Sequence, residues 1–284
     1  MSERVGFSLG RIATVAVNTF TEAVRQKVFY IMLAFALVMI ASASFFSQFT
    51  FSEQLKSVKD TCLGAIAVFG TLIAIVGTAQ LLPHELENRT IYTILAKPVR
   101  RVEFLLGKYL GSVWLLFLSL VMMSAMFALA LSFKEHRLLT DAAQQAPEVG
   151  QTVASTLRQI RLETWDPDIA KGLLLIFLKL ALLAAVTLFF STFSSSMVFN
   201  VVATAMIFFA GHLRAPAADL WGQHRWVQSL LVLIPDLGTF NVADEINLGS
   251  AIPWAHVAQV GVYGLAYTTV VLVAAYLIFA DREI

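Results

Sequence analysis

Charge is what this sequence has least of. Only 14% of its 284 residues are Asp, Glu, Lys or Arg, while 58% are apolar, and mean hydropathy is +0.76. A soluble domain of this size cannot hide so much apolar surface, because its surface-to-volume ratio forces polar residues outward. Cysteine is nearly absent as well: Cys62 alone excludes an intramolecular disulfide and a cysteine-based metal cluster. A net charge of +1 with no basic block or stripe argues against a nucleic-acid partner. Residues 1–27 are charged throughout and lack the compact apolar stretch of a cleavable signal peptide. The first hydrophobic span is therefore expected to stay as a membrane anchor.

Several chemistries are missing too. No G-x-x-x-x-G-K-[ST] string occurs; Gly107-Lys108 is followed by Tyr109, and Val102 stands where the first glycine belongs. Without that phosphate-cradling loop the chain is not itself a P-loop ATPase. His84-Glu85 begins like a zinc-protease motif, but the second ligand position is Asn88. No G-x-S-x-G elbow is present, and His136, His212, His224 and His256 are scattered at loops and span ends. No catalytic residue, metal site or bound cofactor is expected.

What is present is apolar length. A bilayer core of about 30 Å needs roughly 20 apolar residues in a helix. Six stretches qualify, at about 28–47, 62–82, 105–132, 172–193, 197–213 and 257–280. The fold class expected is an all-α integral membrane protein, one membrane domain over 1–284. The third stretch exceeds a span and is expected to tilt or project. None of the six holds an Asp or Glu, which argues against a transporter driven by protons or sodium.

Arg4, Arg11, Arg25 and Lys27 precede the first span, and Arg89, Lys97, Arg100, Arg101 and Lys108 cluster around the loop after the second. The positive-inside rule places both termini and loop 83–104 in the cytoplasm. Loops 134–171 and 214–256 then fall outside. Residues 9–24 carry Leu9, Ile12, Ala13, Ala16, Phe20, Ala23 and Val24 on one helical stripe. That pattern suits a helix in the cytoplasmic interface, or one packed on protein. Val149, Val153, Leu157 and Ile160 share a face in the outer loop, and the apolar segment 227–256 is broken by Pro235, Gly238 and Pro253. Broken backbone at membrane depth must be covered, so this segment is read as a re-entrant or interfacial element on the outer side.

Among intramembrane polar residues, Lys179 is the one charge well inside a span. Its position allows snorkelling, or contact with an anionic substrate or partner helix. Gln80 and Asn200 are candidates for the same roles, hydrogen bonding between helices being the commoner one.

The most informative loop reads HELENRTIYTILAKPVRRVEFLLGKYLG, 84–111. Glu85, Glu87, Arg89 and Thr90 open a short helix with apolar Ile91, Ile94 and Leu95, and Pro98 stops it. Gly107-x-x-x-Gly111 then starts the third span with small residues that permit close helix approach. The order Glu85-x-Glu87-x-x-Thr90, Leu95-Ala96-x-Pro98-Val99, Glu103-Phe104, Gly107-Lys108 resembles the coupling-helix region of ABC-2-type exporter permeases. Within that superfamily it resembles most the group containing the permease for nitrous-oxide reductase (multi-copper enzyme) maturation. Arg89, where many relatives have Gly, and the long outer loop depart from the pattern.

The resemblance implies a permease in the inner membrane, assembled with a second permease subunit and separate ABC ATP-binding subunits that hold ATP and Mg. The 85–97 helix would sit in a cleft of the ATPase. An alternative from another class is a mechanotransmitting anchor that works an outer protein docked on 134–171 without moving substrate.

Overall fold

The computed structural model describes residues 8–43, 51–83, 100–144, 164–221, 233–248 and 250–281. The described chain is helical, and no strand occurs among these residues. In order the helices are α1 (Leu9–Val24), α2 (Lys27–Ala43), α3 (Phe51–Ala79), α4 (Arg101–Gln144), α5 (Asp168–Phe193), α6 (Met197–His212) and α7 (Arg214–Trp221). A 3-10 turn at Gly238–Phe240, α8 (Ala243–Leu248) and α9 (Trp254–Asp281) follow.

α3, α4, α5 and α9 are each long and apolar enough to cross a bilayer. Two bent pairs, α1 with α2 (67°) and α6 with α7 (54°), raise the number to six if each pair is one span. The described helices therefore support four to six spans, and the short predicted stretches around 28–47 and 197–213 reach that length only with their bent neighbours. The predicted boundaries shift most at α4. Its 44 residues run 12 beyond the expected end at 132, so 134–144 is helix and not loop. At 1.5 Å per residue α4 is about 66 Å long, well past the need of a bilayer core. The longer helices also carry Asp60, Glu103 and Asp168 into α3, α4 and α5, outside the predicted spans.

α5 is the axis of the bundle. Leu175, Leu180, Leu182, Leu183, Ala184 and Ala185 lie on several of its faces and are all buried. A helix apolar all round belongs inside, and α3, α4, α6 and α9 pack on it. The outer helices instead turn apolar side chains outward, such as Phe35, Trp114, Leu129, Met206 and Val270. At the α5–α6 break Ser194 is extended, and the Ser196 hydroxyl caps α6 by accepting from Phe199 N. Serine favours such caps because its oxygen satisfies an end N–H group that has no intrahelical partner.

The broken segment after α7 folds back into the bundle. Leu237 donates to Gly211 O, and Leu237, Phe240, Val242 and Ile246 are buried in the main core. Its mooring is the start of α5. Asp168 accepts from Ile252 N and pairs with Lys171, whose ammonium donates to Ile252 O. The outer-loop face of Val149, Val153, Leu157 and Ile160 lies outside the described residues.

Candidate functional site

At one end of the bundle, α1, the start of α4 and the end of α9 meet. Gly107 and Gly111 make this possible. A Cβ on Gly107 would come within 2.6 Å of Val15 Cβ, and one on Gly111 within 2.7 Å of Ala16 O. Only glycine lets the backbones approach so closely. This approach corrects the expected stripe: α1 buries Ile12, Ala16, Thr19 and Ala23 against α4, while Leu9 is 75% exposed.

The seam is fastened by charge. Glu103, fully buried, accepts from Ser8 N (2.8 Å), Arg11 Nη2 (2.9 Å) and Arg100 N (3.1 Å). A carboxylate in the first turn also sits favourably on the helix dipole. Arg101 donates to Phe279 O and Ala280 O at the end of α9, whose Phe279 ring stacks on Phe104. Buried Lys108 pairs with Glu22 at 3.8 Å and lies over the Phe104 ring. The turn that follows 84–99 is thus tied to α1 through Glu103 and to α9 through Arg101.

Glu85, Glu87, Arg89, Thr90, Ile91, Ile94, Leu95 and Pro98 lie outside the described residues. Gln80, just before that segment, donates to Gln26 Oε1 (2.7 Å) in the α1–α2 bend. Asn200 is buried and joins α6 to α3 and α5, donating to Ala79 O (3.2 Å) and Ser191 Oγ (3.1 Å). Both amides thus make contacts between helices.

Lys179 stands apart from them. It is 4% exposed and lines a cavity of about 260 Å³ between α3, α5, α6 and the folded-back segment. Among the described residues it makes no hydrogen bond or ion pair. His212, missed by the sequence reading as a site residue, lines the same cavity; its Nδ1 lies 2.9 Å from Phe208 O. Nothing in the sequence joined the two, because the cavity exists only once 233–248 folds back. No group of three or more His, Cys, Asp or Glu suited to a metal ion occurs among the described residues.

The described helices, which make four to six spans long and apolar enough to cross a bilayer, define a multi-pass helical membrane protein. Residues 21–160 match the model of the family described as ABC-2 family transporter protein. The match supports an ABC-2-type permease, the membrane subunit of an ABC transporter, a kind of subunit that works with an ATP-binding partner. No curated protein matches the chain.

Proposed function

We propose that this chain is the permease subunit of an ATP-driven exporter, closest within its superfamily to the nitrous-oxide reductase maturation group. A separate ATPase would work it through the 85–97 helix. The observation that carries the reading is the seam. Glu103, just after the proposed lever, accepts from Ser8 N and Arg11 at α1 and from Arg100 N in its own helix turn, and Arg101 donates to the end of α9. A push on 84–99 from the cytoplasm would move α1, α4 and α9 together, because buried charge-assisted hydrogen bonds resist separation. Two permease subunits would enclose the path between them, and both termini would face the cytoplasm.

The test is pull-down of the ATPase by the purified chain, with ATP hydrolysis measured alongside. Glu87→Lys is expected to weaken assembly or uncouple hydrolysis. Ile94→Pro should be worse, since a mid-helix proline costs about 3 kcal/mol and bends the lever. If both variants bind and stimulate the ATPase like the parent, 84–99 is a connector only.

The length of α4 favours a second reading, in which the helix projects outward and ATP hydrolysis works an outer protein docked on 134–171. Trp165 Nε1 donates to Glu135 and braces that projection. Accumulation of substrate in vesicles containing only permease and ATPase would exclude it.

A further inference from the structure

Lys179 is the one buried cation whose surroundings demand something the described residues do not supply. An ammonium at membrane depth is costly unless it is paired, and buried lysines in membranes face partners or cavities for that reason. Other lysines follow the rule: Lys108 meets Glu22 and Lys171 meets Asp168. Lys179 meets open space instead, in a cavity walled by Leu63, Ile176, Phe208 and Phe240, with Asp60, His212 and Asn241 as its other polar lining.

The other charged and titratable groups on that space are few. Asp60 is exposed, lies at the open side and has an interaction of its own. Half-buried His212 keeps its Nδ1 at the Phe208 carbonyl, and Asp236 acts on it electrostatically from beyond the wall. Neither carboxylate reaches Lys179. The open side runs along one face of α3, where Asp60, Gly64 and Val68 follow at intervals of four, one turn apart. A Cβ on Gly64 would meet no atom within 4 Å, so that face is vacant and not packed.

We infer that this cavity binds a small amphiphilic anion, its carboxylate or phosphate on Lys179 and its apolar body against Leu63, Ile176, Phe208 and Phe240. The volume, just under the usual range of roughly 300–1,000 Å³ for small-molecule pockets, fits a short chain better than a whole bilayer lipid. Whether the ligand is cargo rests on the permease reading; its binding does not, and is measured without ATPase.

The experiment uses the full chain in lipid nanodiscs and labelled decanoate, with empty nanodiscs subtracted. Decanol and inorganic phosphate are the competitors that separate tail from head. Saturable decanoate binding is expected, displaced at least about tenfold less well by either competitor alone. Lys179→Met should weaken decanoate binding at least about tenfold, and Lys179→Arg should retain it. Gly64→Leu, which adds bulk at the open side of the cavity and leaves the lysine in place, should weaken it similarly. All variants should remain monodisperse. Equal displacement by decanol and decanoate, or decanoate binding unchanged in both Lys179→Met and Gly64→Leu, would overturn the assignment.

Discussion

Lys108 and Lys179 are both buried lysines on apolar helices, and they are solved in opposite ways. Lys108 sits in the α1–α4–α9 seam with the Glu22 carboxylate at 3.8 Å and the Phe104 ring beside it. Lys179 sits over a cavity with no bonded partner among the described residues. The seam reads as a joint built to stay closed, the cavity as a place built to receive something. Burial of charge alone does not distinguish structure from binding; the presence or absence of the partner does.

The sharpest way to break the seam is Gly111→Val. Its Cβ would lie 2.6 Å from Thr19 Cβ and 2.7 Å from Ala16 O, and a backbone oxygen cannot rotate away. Overpacking of this kind is expected to cost roughly 3 kcal/mol, read as a lowered melting temperature and faster proteolysis of α1. Glu103→Gln should come next. The amide keeps one acceptor oxygen but loses the charge that holds Arg11 and two backbone N–H groups, at about 2 kcal/mol. The smallest effect separates the two lysines directly. Lys108→Met should destabilise by about 1 kcal/mol, since Glu22 is partly exposed and solvent screens what it loses. Lys179→Met should leave melting unchanged or raise it, because it removes an uncompensated charge. Equal destabilisation by both substitutions would erase the contrast.

Much of the fold was legible as hydropathy, and the misses have physical causes. The end of α4 was placed at 132 because Lys134, Glu135 and Arg137 interrupt the apolar run. Those residues are good helix formers, so the helix continues past the point where hydropathy fails. The α1 stripe was visible, but the buried side was decided elsewhere, by two glycines in α4 that admit Ile12, Ala16 and Thr19. Lys179 was visible as an intramembrane charge. Its cavity was not, since it depends on Phe240, Val242 and Ile246 returning from a segment broken by Pro235 and Gly238. The 84–99 motif, with its charges, its apolar Ile91, Ile94 and Leu95, and Pro98, is read from sequence alone and lies outside the described residues.

Everything said of lever and seam requires that end of the bundle to face the cytoplasm. Single cysteines at Tyr92 and Gln145, in a Cys62→Ser background, test this with an impermeant thiol reagent on intact spheroplasts. Labelling of position 145 from outside, and of position 92 only after permeabilisation, is the expected result. Labelling of position 92 from outside while position 145 stays protected would contradict the arrangement, and with it the coupling of 84–99 to an ATPase.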